Sequence, residues 1–131
     1  MNSFYHVIIA GGSGSRFWPQ SRKDKPKQLL KIIGNKTMIR LTYERLLKIS
    51  QADHIFVVAS KKLCFSIQNE IPDIPENNYI IEPSGKNTAP AIGLAAIHVL
   101  KKDSNALMGI YPADHIVQGD DKFKNVISKA K

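Results

Sequence analysis

Three glycines, an arginine and a lysine carry the first chemistry in this chain. Gly11, Gly12 and Gly14 follow the apolar run 5–9; Arg16 comes two positions after the last glycine, and Lys27 eleven after that. Glycine removes the Cβ that would hold a polyanion away from backbone N–H groups, and it permits positive φ. Arg16 brings a rigid fork of donors suited to phosphate oxygens, and Lys27 a mobile point charge. This order of residue types predicts a site that binds a nucleoside triphosphate and acts at phosphorus. Spacing excludes two familiar phosphate loops. No Lys-Ser or Lys-Thr follows the glycines as a P-loop requires, and Phe17 stands where a dinucleotide fingerprint needs its third glycine. Taken alone, the glycine string also fits a plain strand-to-helix connection.

Further along, Asp114 follows an apolar run and a Pro-Ala turn. A carboxylate there can hold Mg²⁺, which binds through one or two carboxylates plus substrate phosphates. It can equally cap local N–H groups in a turn. His115 beside it fits orientation or packing better than metal ligation. The stretch 82–87 reads as a base-reading loop. Backbone carbonyls near Pro83 and Ser84, with Asn87, can offer a base edge both acceptors and donors. Asn87-Thr88 is also a natural helix N-cap, and the two roles are compatible. Phe17 and Trp18 suit either ligand stacking or packing under the loop. Arg22, Lys23 and Lys25 read as solvated charges, with Arg22 the best auxiliary candidate.

These residues need a frame, and the apolar pattern supplies one. Runs at 5–9, 54–59, 78–81 and 106–110 predict strands, near-continuously apolar as parallel strands covered on both faces are. Helical spacing predicts helices at 37–49 (Ile39, Tyr43, Leu46 and Leu47 on one stripe), 61–71, 88–101 and 120–131. Strict β–α alternation predicts an α/β fold with a doubly wound, mostly parallel open sheet. Between residues 11 and 36 the connection is far longer than the usual βα loop of about 2–6 residues, which marks it as functional. With strand order beginning 3-2-1-4, the order reverses between the first and fourth strands, where ligands sit in such sheets. The loops at Gly11, Glu82 and Asp114 then meet on one rim.

Composition sets the outer limits. The chain has 131 residues, 43% of them hydrophobic, with 19 Lys and Arg against 11 Asp and Glu, a net charge of +8. That suits one domain with a core of its own. The basic residues are dispersed, and neither a helix-turn-helix nor a zinc-finger pattern is present, so the charge points to small anionic ligands and not to nucleic acid. The single cysteine, Cys64, permits no internal disulfide and sits among Leu63, Phe65 and Ile67, as a buried inert thiol would. Neither a signal peptide nor a run near the roughly 20 apolar residues of a membrane span is found. A cytoplasmic protein without a membrane partner is expected.

The string from Gly11 to Gln28, Gly-Gly-Ser-Gly-Ser-Arg-Phe-Trp-Pro followed by Ser21-Arg22 and Pro26-Lys27-Gln28, resembles the first motif of the sugar-1-phosphate nucleotidyltransferases. Within them it is most similar to the mannose-1-phosphate guanylyltransferases. Two later segments agree and come in the same order: Glu-Pro-Ser-Gly-Lys-Asn-Thr-Ala-Pro-Ala from Glu82, and Pro-Ala-Asp-His-Ile from Pro112. Lys86 departs from the usual arginine, which keeps the charge and loses the bidentate fork.

The resemblance implies a Rossmann-like nucleotidyltransferase fold in which 1–131 is the N-terminal, nucleotide-binding part. It implies GMP transfer from GTP to mannose 1-phosphate, giving GDP-mannose and pyrophosphate, with Mg²⁺. Arg16 would hold the departing pyrophosphate and Lys27 would stabilise charge at the α-phosphate, the two catalytic positions. Ala10, Gly11, Gly12, Ser13, Gly14, Ser15, Arg16, Lys27, Glu82, Pro83, Asn87, Thr88 and Ala89 would contact the nucleotide, and Asp114 the metal. Members of the family are longer, so the chain is expected to be cut short, with weak turnover and a hydrophobic fourth-strand edge that invites self-association. Homo-oligomerisation is compatible with this reading. Two alternatives stand beside it: a non-catalytic nucleotide-binding or regulatory remnant, and a nucleotidyltransferase for another sugar 1-phosphate.

Overall fold

A computed structural model gives the fold for residues 3–12, 26–85 and 87–131. Its strands are β1 (Phe4–Ile9), β2 (Lys31–Ile33), β3 (Lys36–Thr37), β4 (Ile55–Ala59), β5 (Tyr79–Ile81) and β6 (Leu107–Pro112). The helices are α1 (Met38–Leu47), α2 (Lys61–Glu70), α3 (Thr88–Lys102) and α4 (Asp120–Ala130). All four main strands and all four helices expected from the sequence are present, their ends moved by a residue or two.

The main sheet runs β5-β4-β1-β6, every pair parallel. Its neighbours are those of the expected 3-2-1-4 arrangement. The numbers along the chain differ because β2 and β3 form a separate antiparallel ribbon that the β–α alternation does not announce. The long connection therefore carries structure of its own at residues 27–37. A hairpin signal does exist there: two short runs meet at Gly34-Asn35, and Gly34 takes φ 60°.

Alternation sorts the strand side chains to two cores. Ile8, Ile55 and Val57 pack with Ile39, Tyr43, Leu46, Cys64 and Ile67 beneath α1 and α2, and Phe123 and Ile127 of α4 close that layer. Val7, Phe56, Val58 and Ile80 face the other way, against Ala91, Ala95 and Val99 of α3. Both faces being covered explains why all five residues of β4 are buried. Each buried aliphatic side chain contributes roughly 1.5–3 kcal/mol. Of the stripe expected on α1, Leu47 is the exception, for it is exposed at the last turn. Cys64 is buried as expected, and desolvation raises its thiol pKa.

Two local details fix the centre of the sheet. His6 of β1 stands opposite Gly109 of β6. A Cβ on Gly109 would lie 2.6 Å from the Tyr111 hydroxyl, so only glycine lets that ring fold back along its own strand. The Tyr111 hydroxyl and His6 Nδ1 then share a buried hydrogen bond of 3.0 Å.

Candidate functional site

The register of the sheet brings the chemical loops to one level. Ile9 pairs with Val58 on one side and Pro112 on the other, and Ala59 with Ile81. The ladder runs one step beyond the strands: Ala10 donates to Val58 O, Ala113 to Ile9 O and Glu82 to Ala59 O. Gly11, Asp114 and the 82–87 loop leave the sheet from those three bonds. The expected convergence on one rim is what the backbone builds.

Beside the glycine turn and Glu82 lies a cleft of about 600 Å³, walled by Ile9, Gly11, Gly12, Lys27, Ser60, Leu63, Glu82, Gly85, Asn87 and Thr88. That volume is typical of small-molecule sites. Gly12 has φ 96°, a conformation costly for any other residue type. Gly11 is constrained by approach instead, since a Cβ there would stand 3.2 Å from Glu82 Oε2. The glycine turn and the Glu82 carboxylate thus pack directly on each other.

Lys27 reaches the same place from a short 3₁₀ turn after Pro26. Its ammonium donates to Asp114 Oδ2 at 2.7 Å, and the two side chains are only 10% and 13% exposed. The nitrogen sits 3.8 Å from where a Cβ on Gly12 would be, directly under the glycine turn. Burial alone would raise the Asp114 pKa. The Lys27 hydrogen bond and charge outweigh it, with a smaller push from His115, and the carboxyl is held below its ordinary value. An ionised carboxylate on the rim fits a hard cation that takes most of its ligands from phosphate oxygens. Among the described residues no cluster of three or more His, Cys, Asp or Glu side chains offers a fuller cage.

The expected site residues fall into three groups. Gly11, Gly12, Lys27, Glu82, Asn87 and Thr88 wall the cleft together. Ala10, Pro83, Ala89 and Asp114 are not among its walls; Asp114 meets the cleft only through Lys27. Ala10 is fully buried in the core and its N–H is engaged by Val58, so it supports the loop from below. Ser13, Gly14, Ser15 and Arg16 lie outside the described residues, as do Phe17, Trp18, Arg22, Lys23, Lys25 and Lys86.

Two readings are corrected. Asn87 occupies the N-cap position of α3, yet its side chain makes no capping bond, and its backbone stands at φ 73°, ψ −173°. That region is almost exclusive to glycine, so the residue holds strain on the cleft wall. His115 does not pack; its side chain is 68% exposed, with Nε2 4.0 Å from Asp114 Oδ1.

Gln28, Ser60 and Leu63 are among the wall or support residues not foreseen from the sequence. Gln28 is 1% exposed and donates from Nε2 to the Gly11 carbonyl at 3.0 Å, pinning the glycine turn. Its Oε1 is buried without a partner among the described residues. Ser60 and Leu63 open the first turn of α2 onto the cleft, with the Leu63 N–H donating to Ser60 Oγ. Gln28 closes the first motif and is a findable signal; Ser60 and Leu63 carry none beyond their place after a strand. The first turns of α2 and α3 hold no acidic residue, so both helices present their positive ends to the cleft.

Comparison with known proteins agrees with this fold. A Salmonella typhimurium protein named mannose-1-phosphate guanylyltransferase RfbM is 39% identical over 133 residues, covering 98% of this chain and 28% of the relative. The alginate biosynthesis protein AlgA of Pseudomonas putida is 36% identical over 95% of this chain and 26% of its own length. The chain thus spans little more than a quarter of these curated relatives. Among solved structures, a mannose-1-phosphate geranyltransferase from Thermus thermophilus superposes with a TM-score of 0.86 at 28% identity, over 97% of this chain and 37% of that one. The family model described as nucleotidyl transferase matches residues 5–131, from the first strand through the fourth helix. That match covers nearly the whole chain, and the chain belongs to the nucleotidyl transferase family.

Proposed function

We propose that residues 1–131 form the GTP-binding part of a mannose-1-phosphate guanylyltransferase, which transfers GMP from GTP to mannose 1-phosphate and releases pyrophosphate. The observation that carries this reading is the meeting of the Gly11–Gly12 turn, Lys27, Asp114 and Glu82 on one sheet rim. Backbone N–H groups of the glycine turn would take the phosphates, and Lys27 would offset charge gathering at the α-phosphorus as the sugar phosphate oxygen attacks. Nucleotidyl transfer asks mainly for positioning and electrostatic stabilisation, which this set supplies. Arg16 would hold the leaving pyrophosphate. A magnesium ion bound at Asp114 would offset phosphate charge there. The names borne by the relatives support mannose 1-phosphate as the acceptor. A lone buried thiol suits the cytoplasm. Nucleic acid and membrane have no part in this reading, and a homo-oligomer is compatible with it.

Glu82 supports the choice of base. Its carboxylate offers two acceptors in the cleft, matching the adjacent N1–H and N2–H₂ donors of guanine. Adenine presents a lone pair at N1 and would be repelled. Calorimetric titration with GTP, ATP and dTTP in Mg²⁺ tests this. GTP is expected to bind at least roughly tenfold more tightly, and Glu82→Gln to remove most of that preference. Equal affinity for ATP overturns the guanine reading; no nucleotide binding by a folded chain overturns the site.

A further inference from the structure

Lys27 and Asp114 stand 87 positions apart in the chain, yet the fold sets their charged ends 2.7 Å apart and nearly out of solvent. The ammonium lies under the Gly12 turn, where phosphate oxygens would settle. The two groups have opposite tastes in ligands: an ammonium attracts phosphate, a carboxylate attracts a hard cation. Each therefore blocks the other's ligand. Resting on the nucleotide reading above, we infer that the Lys27–Asp114 pair is a latch coupling two ligands. A divalent cation arriving at Asp114 frees Lys27 for phosphate, and a polyphosphate drawing on Lys27 bares Asp114 for the cation.

Opening such a pair from one side only is unfavourable, because the partner left behind is a poorly hydrated, unpaired charge. When both ligands arrive, each charge is paired again and that penalty disappears. Linkage makes the effect reciprocal: the factor by which the cation tightens nucleotide binding is the factor by which nucleotide tightens cation binding. This differs from simple chelation of the cation by free triphosphate, which involves neither side chain.

The test is a double-mutant cycle on GTP affinity, measured by calorimetry in EDTA for the chain, Asp114→Asn, Lys27→Met and the double variant, each checked for folding by circular dichroism. Asp114→Asn is expected to bind metal-free GTP about tenfold more tightly than the parent, and the gain to vanish in the Lys27→Met background. Absence of the gain overturns the latch. A gain that persists in the Lys27→Met background also overturns it, since mere removal of a negative charge would then explain the result. A second arm needs no nucleotide: Mn²⁺ titration followed by electron paramagnetic resonance. Lys27→Met is expected to bind Mn²⁺ about tenfold more tightly than the parent, and unchanged affinity overturns the latch. Failure of the parent to bind GTP even with Mg²⁺ overturns the nucleotide reading and the two-ligand latch with it, whereas GTP binding without the metal-free gain overturns the latch alone.

Discussion

Two clefts open at opposite ends of the same parallel sheet. The one at the carboxyl ends has about 600 Å³ and the one at the amino ends about 550 Å³, the latter lined by Ser3, Phe4, His6, Ile49, Ser50, Gln51, His54, Leu107 and Lys131. Size does not tell them apart. Their chemistry does. At the carboxyl end Lys27 and Asp114 face each other, Glu82 presses on Gly11, and Gly12 and Asn87 hold positive φ. At the amino end two buried polar side chains are paired inside the protein: His6 with Tyr111, and Asn78 Nδ2 donating to the Asp53 and Ile55 carbonyls. Lys102 closes that set by donating to Asn78 Oδ1. One end sets a buried ion pair beside strained backbone, and the other settles its buried His6 and Asn78 in hydrogen bonds. A cleft becomes a candidate site through what its residues leave unresolved.

The largest expected effect tests the settled end. Burial first, then the nearby cations of Lys131 and His54, lower the His6 pKa to about 4 from 6.5. Between those values the unfolded chain binds the proton and the folded one does not. Stability is therefore whole above pH 6.5 and falls as pH drops toward 4, by on the order of 3 kcal/mol across the window. Urea unfolding at about pH 7.5 and about pH 4.5 should show this loss, and His6→Phe should remove most of its His-linked part. The same slope in both proteins would mean that this end is wet and the contrast false.

Next in size is the unsettled end. Lys27→Met should weaken GTP binding in Mg²⁺ by about 2 kcal/mol, roughly thirtyfold in Kd, as losing a hydrogen bond to a charged group does. Unchanged affinity would remove Lys27 from the phosphate site. Gly109→Ala comes third. Its Cβ would drive the Tyr111 ring off its place, at about 1.5 kcal/mol of stability read from the urea midpoint. No loss would show that the Tyr111–His6 contact is slack.

These residues also show how far a sequence can be read. Strand runs such as Ile55–Ala59 are legible because burial on both faces demands unbroken apolar stretches. The glycine turn is legible because conformation and approach leave few substitutes at Gly11 and Gly12. What stays hidden is long-range or conformational. Nothing local in Lys27 says that it faces Asp114, and nothing in Gln28 says that it holds Gly11. Asn87 has the residue type of a cap, but its φ and the direction of its side chain are set by tertiary structure. Ala10 lies within a functional motif and proves to be core, because the ladder runs one residue past the strand.

The smallest expected effect is also the one best placed to break the comparison. Gln51 is exposed on the wall of the amino-end cleft, at the far end of the sheet from Gly12. Gln51→Lys adds a positive charge there, beyond direct reach of the carboxyl-end cleft. A phosphate ligand bound at that end would be tightened by a new cation, whereas one bound beyond the carboxyl ends would be screened from it over such a distance. Stability should change by no more than about 0.5 kcal/mol, and GTP affinity not measurably. A clear rise in GTP affinity, growing as salt is lowered, would move the nucleotide to the amino end and leave the Lys27–Asp114 pair as an ordinary buried ion pair.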